Sequence, residues 1–316
     1  MTHTRSAQPT HSSKRIKLIK KIKLNLWCWA FLAIQLTFWG LFTGWSVILS
    51  FYYSLLDWSG FTAATFVGMR NYAQLLNDRM FWNAFSNSFY FMVLAVPPQL
   101  AVSLFLAYML NNALLKGRTL YRTAYFVPVI TTSAIVGVIM VFIWGAQGPL
   151  NHLLLTLRIL SEPISFLGNV NTSMGTVAAI SVWNISGIYM IYWLAGLQSV
   201  PQDLYEAAKV DGAGRARTFW SVVLPVMAPI AGVITIMCII NALRMFDLIL
   251  TLTGGGPFFS TEVIATYVYR MAFTSEMGLP RLGYASAAAL MFGASVIAIG
   301  LLLNGVKRIV DYKRGE

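Results

Sequence analysis

Two apolar stretches carry groups that can grip a ligand. Residues 174–199 hold Ser181, Trp183, Asn184, Ser186, Tyr189, Tyr192 and Trp193. Residues 221–252 hold Asn241, Arg244, Met245 and Asp247. Hydroxyls, carboxamides and aromatic faces together suit a polyhydroxylated solute that is held weakly enough to be released. Polar groups at such depth in an apolar run are costly, and they face a bundle interior or a cavity. Each residue taken singly also fits a packing role, because Ser and Asn often join neighbouring membrane helices. Asn241, Arg244 and Asp247 follow at three-residue spacing, so successive members share a helix face. On a continuous helix Arg244 and Asp247 are within reach of each other, and such a pair competes with a ligand role for Arg244.

Other chemistries find no support. Cys28 and Cys238 lie in separate apolar runs, and His3, His11 and His152 are scattered, with none of the clustered spacings of a metal site or disulfide framework. Gly254–Gly256 followed by Pro257 is not a nucleotide loop, because no Lys-Ser/Thr follows and no strand precedes it. It reads as a flexible break at the outer end of a helix. No nucleophile stands with a base at membrane depth, so an intramembrane enzyme is not indicated.

The elements that must position these residues are membrane helices. Of 316 residues, 57% are hydrophobic and 11% charged, and mean hydropathy is +0.66. A soluble domain is about one-quarter charged, so the bilayer is the natural solvent here. Six runs reach the roughly 20 apolar residues that a spanning helix needs: 27–54, 85–111, 124–146, 174–199, 221–252 and 284–307. In lipid each backbone must satisfy its own hydrogen bonds, so an all-α fold follows. Pro97 and Pro98 should kink the second run, whereas Pro225 and Pro229 suit the start of the fifth. The first run is too long for a signal-peptide core and reads as a retained helix. Residues 66–81 read as a short interfacial helix with Trp58, Tyr72, Phe81 and Trp82 as headgroup anchors.

The net charge of +12 sits in clusters between the apolar runs, which fits topology and not nucleic-acid binding. Seventeen Lys and Arg fall on one side: the N-terminus, the 112–123 and 200–220 loops, and the C-terminus. Five fall on the other, namely Arg70, Arg79, Arg158, Arg270 and Arg281, while Arg244 lies inside a run. The positive-inside rule makes the richer side cytoplasmic, with both termini inside. The expected organisation is a basic tail over 1–26, a six-helix domain over 27–308 and a short tail over 309–316.

The segment Pro201 to Pro229, PQDLYEAAKVDGAGRARTFWSVVLPVMAP, is too polar to span and too ordered to be a plain turn. Pro201 starts a short helix, and Asp203 and Glu206 are placed in its first turn, where the helix dipole favours acids. Ala207, Ala208 and Lys209 continue it, and Gly212 and Gly214 allow a sharp break. Alanines on one face let another protein approach closely. An elbow joined to two spanning helices can then transmit a partner's motion, although charged loops of this length also occur as plain connections.

EAAKVDGAGRARTFWSVVLPVMAP resembles the EAA loop of binding-protein-dependent ABC importer permeases, at Glu206, Ala207, Ala208, Asp211, Gly212, Ala213, Leu224 and Pro225. AGLQSVPQDLYEAA, FVGMRNY (Phe66 to Tyr72) and FDLILTLTGGGP (Phe246 to Pro257) are similar to further segments of the maltose-, lactose- and glycerol-phosphate-type subfamily, in particular its first permease subunit. The resemblance extends from about residue 27 to 308.

It implies a type I importer permease of six helices with a cytoplasmic coupling helix in an EAA loop over 201–220. Glu206, Ala207, Ala208, Asp211, Gly212 and Ala213 would dock into an ATPase subunit that binds ATP and Mg, and this chain would hold no cofactor and catalyse nothing itself. A second, homologous permease and an extracellular binding protein would complete a carbohydrate importer in a bacterial plasma membrane. The resemblance places Ser181, Asn184, Ile185, Ala242 and Met245 at the sugar site of maltose-type relatives. Only Ser181 and Asn184 are polar here, so the implied substrate is another saccharide, or a larger one gripped mainly outside the membrane. Ser181, Asn184, Asn241, Arg244 and Met245 are the expected pathway. The competing reading, an ion-gradient-driven secondary transporter, would call for inverted repeats and buried ion-binding acids. Asp247 is the one acid clearly inside a run.

Overall fold

The computed structural model describes residues 27–61, 63–112, 115–274 and 278–314. The basic tail expected over 1–26 lies outside the described residues. Among the described residues helices dominate, with one two-stranded antiparallel ribbon between β1 (Leu56–Asp57) and β2 (Thr65–Phe66).

Among the described residues, five segments are long and apolar enough to cross a bilayer. They are α1 (Trp27–Ser54), α3 (Arg79–Asn111), the stretch Ser133–Thr156, α7 (Val170–Ser199) and the start of the last helix, α13 (Leu282–Arg314). A sixth forms if α9 (Arg215–Val226) and α10 (Ala228–Leu243), bent by 75° at their junction, count as one broken span. Pro225 closes the first half and Pro229 stands in the first turn of the second. Neither can donate a backbone N–H, so the ladder is thinnest where the chain bends. Pro97 and Pro98, by contrast, sit within α3, which stays helical through both.

The third apolar run differs from expectation. Residues 124–146 are not one helix: α4 (Arg118–Ile130) ends at Thr131, and α5 (Ser133–Trp144) starts from an extended Thr132, followed by α6 (Pro149–Thr156). The last helix also runs past its expected end at residue 307.

The interfacial segment is shorter than expected. α2 spans only Arg70–Leu76, because Asp78 turns the chain and caps α3, its Oδ1 accepting from Met80 N (2.8 Å) and Phe81 N (3.3 Å). Phe81 is therefore not a headgroup anchor; it is fully buried with Leu75, Tyr267 and Tyr284. Asn71 ties α2 back to the end of α1 by donating to the Ser54 and Leu56 carbonyls at 2.8 and 2.9 Å.

α3 lies along α7 as the central pair, with α10 on α3, α4 on α7, α13 on α1 and, at the end where α3 begins, α12 (Ile264–Phe273) on α13. The main core includes Phe91, Val177, Tyr189, Met190, Leu248 and Ile249. In lipid such burial gains little over hydrocarbon, so close packing and polar ties decide the association. One example is Gly187 on α7, where a Cβ would run into the Tyr125 carbonyl oxygen of α4.

Asp78 is such a tie at the α12 end. Its Oδ2 accepts from Tyr267 and Tyr284 hydroxyls, each at 2.6 Å. Burial works to raise its pKa, but the two phenols and the two backbone amides outweigh it and hold the carboxyl below its usual value. A depressed carboxyl stabilises the fold above its unfolded pKa near 4, and this contribution is lost as pH falls through the native value. Asp78→Asn keeps a cap but loses the charge-assisted bonds, and should cost about 1.5 kcal/mol at pH 7, the low end of the range because the site is half-exposed. Thermal unfolding in detergent should show that gap at pH 7 and its narrowing as pH falls below about 4 towards the native value; a gap that does not narrow on acidification would contradict the assignment.

Candidate coupling helix and translocation cavity

The loop between α7 and α9 holds α8 (Gln202–Val210), with Pro201 at its N-cap. Asp203 is in its first turn; Glu206 is not, and sits one turn further on. Ala208 is buried, and Leu204 and Tyr205 pack beside the main core, whereas Glu206, Ala207, Asp211 and Gly212 are exposed. Val210 is 88% exposed. One face is thus seated and the other presented outward.

The helix ends in a specific way. Gly212 takes φ +73° and donates to Lys209 O (3.0 Å), and Ala213 donates to Ala208 O (2.9 Å). These are the two bonds of a Schellman termination, and the left-handed residue favours glycine. A Cβ at Gly212 would meet nothing within 4 Å, so only the backbone conformation restricts this position inside the chain. Behind α8, a cavity of about 430 Å³ is lined by Tyr108, Tyr205, Lys209, Ala213, Arg215 and others. Burial, and then the neighbouring Tyr108, hold the Tyr205 phenol above its ordinary pKa, so it stays a neutral hydrogen-bonding group.

A polar cavity of about 420 Å³ opens between α7, the α4–α5 break and the end of α10. Asn184, Asn241, Arg244 and Met245 all line it, together with Asp247, Thr131 and Ser133. Ser181 does not; it lines a much smaller void beyond, which shares Ile185, Asn241 and Met245 with the cavity. Four of the five expected pathway residues therefore meet in one space and the fifth lies behind it.

The local causes are legible. Because α4 stops at Ile130, the Pro128 carbonyl lacks its helical donor, and Asn184 supplies one at 2.8 Å. Ser133 donates to Asn184 Oδ1 at 3.4 Å, so this amide joins α7 to both sides of the break. Replacing Asn184 by Leu should cost about 1–3 kcal/mol by orphaning the carbonyl, read as a lower thermal midpoint; an unchanged midpoint would contradict the tie. Asn241 donates to the Tyr189 hydroxyl at 2.8 Å, joining α10 to α7.

An Arg244–Asp247 pair is not found. α10 ends at Leu243, Arg244 is its C-cap, and a new helix α11 (Asp247–Leu252) begins beyond Phe246. The three-residue spacing therefore does not describe a continuous helix, and the only ion pair among the described residues is Arg270–Glu262. Arg244 and Asp247 both remain exposed on the cavity wall, giving it one cation and one anion.

The glycine run after α11 is not a flexible break. Gly254 and Gly255 take φ +59° and +90°. A Cβ on Gly255 would collide with Glu262 Oε2, and Arg270 Nη2 donates to both Glu262 Oε2 (3.0 Å) and Gly254 O (2.6 Å). Glu262 is 1% exposed. A bidentate pair flanking a glycine turn was beyond sequence reasoning, and the eight-residue gap between Glu262 and Arg270 gives no periodic signal.

A bundle of apolar spans around a polar cavity, with a short helix seated at one end, defines a multi-pass transport permease. Residues 60–315 match the family described as binding-protein-dependent transport system inner membrane component, and the chain belongs to that family. It is similar to YurN, a probable ABC transporter permease protein of Bacillus subtilis: 32% identical over 252 residues, covering 79% of this chain and 85% of the relative. It is similar also to MsmF, the multiple sugar-binding transport system permease protein of Streptococcus mutans: 32% over 285 residues, covering 90% and 95%. LacF, the lactose transport system permease protein of Rhizobium radiobacter, is 30% identical over 276 residues, covering 87% and 91%. A solved bacterial ABC transporter involved in import of the acidic polysaccharide alginate has the same fold, with TM-score 0.76, 23% identity, and 92% and 98% of the two chains covered.

Proposed function

We propose that this chain is a permease subunit of an ATP-driven importer that passes a carbohydrate, delivered by an extracellular binding protein, across a bacterial plasma membrane. The observation that carries the coupling half is α8: a short helix with Leu204, Tyr205 and Ala208 seated and Glu206, Ala207, Asp211 and Gly212 presented outward. That face suits docking on a cytoplasmic ATPase, which would bind ATP and Mg and perform the hydrolysis. The excess of Lys and Arg in the α8 loop and the termini supports a cytoplasmic position for all three.

The carbohydrate half rests on the cavity, whose amides, hydroxyls and balanced Arg244 and Asp247 suit a neutral, hydroxyl-rich solute. The sugar systems named for MsmF and LacF support it. The long apolar faces of α1, with Trp27, Phe31, Phe38 and Phe42 all exposed, call for cover by lipid and by a second permease.

The test is uptake of labelled maltose, lactose and raffinose by cells expressing the whole system, with ATP and the ion gradient removed separately. Uptake should stop when ATP is depleted and survive an ionophore. The opposite pattern would replace this reading by a gradient-driven carrier.

A further inference from the structure

Gln99 lies on α3 directly after Pro97 and Pro98 and is 3% exposed. Its Nε2 has no hydrogen-bond partner among the described residues. An orphaned buried amide costs about 1–3 kcal/mol, and in an apolar membrane helix Leu or Met at that position would carry no such cost. Such a group calls for a physical reason.

Its surroundings supply one. Gln99 lines the small void behind the polar cavity together with Ser181, Tyr189 and Asn241. The void measures about 10 Å³, at the lower limit for one water. Ile185, Asn241 and Met245 line both spaces, so they form the partition between them. The Asn241–Tyr189 bond (2.8 Å) holds that partition to α7. On the other side, Pro97 and Pro98 delete two successive α3 backbone bonds next to Gln99, so α3 yields most easily at this depth. The void is thus a small, largely apolar space into which Gln99, Ser181, Tyr189 and Asn241 bring the polar groups, walled on one side by the weakest turn of α3.

We propose that Gln99 is a specificity-determining donor at the inner end of the pathway. When the Asn241–Tyr189 bond opens, Gln99 Nε2 donates to a hydroxyl or ring oxygen of the passing carbohydrate, and Ser181 lines the same passage. This rests on the carbohydrate-permease reading above. It adds a residue from α3 to a pathway otherwise built from α7, α10 and the segment after it.

The test uses the complete transport complex in proteoliposomes with its binding protein, assaying labelled maltose, lactose and raffinose and mono-deoxy derivatives of whichever is carried. Gln99→Met keeps the side-chain length and removes the donor. KM for the carried sugar should rise about tenfold, the effect of about 1.4 kcal/mol, with the maximal rate within about twofold. One deoxy derivative, disfavoured by the wild type, should be disfavoured no longer. Unchanged KM and unchanged deoxy preference, with only a higher thermal midpoint, would make Gln99 a structural residue and overturn the inference.

Should Gln99→Met fail to assemble, Gln99→Cys in a Cys28→Ser, Cys238→Ala background gives a second reading. A small cationic methanethiosulfonate should modify Cys at this position in one trapped nucleotide state and not in the resting one. No modification in any state would equally overturn the inference. A wild-type complex that carries no sugar while its ATPase is stimulated by a non-carbohydrate solute would remove the carbohydrate reading itself, and the inference with it.

Discussion

Gly212→Val should reduce uptake at least tenfold while leaving membrane insertion and the thermal midpoint of the bundle nearly unchanged. Gly212 adopts φ +73° at the C-terminus of α8, where its N–H and that of Ala213 close the helix. A left-handed conformation costs an L-residue about 1–2 kcal/mol, more for a β-branched one. No steric term adds to it, since a Cβ there meets nothing within 4 Å. The strain unwinds one exposed turn and does not reach the core, so its effect falls on the surface that α8 offers a partner. Gly212→Asn is the control: Asn tolerates the left-handed region, and it should retain most uptake and ATPase copurification. Normal uptake by the valine variant would remove Gly212 from the coupling surface.

Arg270→Ala should produce the largest loss of stability, about 3–5 kcal/mol, the usual cost of stripping one partner from a buried ion pair. Glu262 is 1% exposed and receives two guanidinium bonds, at 3.0 and 3.3 Å, and the same guanidinium ties down the Gly254 carbonyl. The double variant Arg270→Met, Glu262→Met removes both charges and should recover a large part of that loss. The readout is the thermal midpoint of the detergent-solubilised chain. An Arg270→Ala midpoint equal to wild type would show that the pair does not hold the glycine turn.

These two sites also mark how far the chain was readable before its structure. Gly212 was legible because its constraint is local: a helix must stop within a few residues, and glycine stops it. The first span and the position of Pro229 were legible for the same reason. The Arg270–Glu262 pair was not, because it fixes a turn whose neighbours come from separate elements, and glycines alone read as flexibility. The pathway divides along the same line. Asn184, Asn241 and Arg244 stood out by polarity within apolar runs and Met245 through the family resemblance, and the four line one cavity. The Arg244–Asp247 pairing failed because helix periodicity was carried across residues where α10 has already ended. The break at Thr131 was missed since its flanks are apolar on both sides, and the Asn184 bond to Pro128 O (2.8 Å) depends on that break. Phe81, an aromatic beside polar residues, read as an interfacial anchor. It is buried because Asp78 starts α3 before it.

In the proposed importer, α8 joins a membrane permease to a cytoplasmic ATPase. The most direct test is to tag this chain, solubilise native membranes gently and identify what copurifies. An ATPase carrying a phosphate-binding loop, together with a second multi-pass permease, is the predicted result. A chain that purifies alone, under conditions that keep other membrane complexes intact, would contradict it.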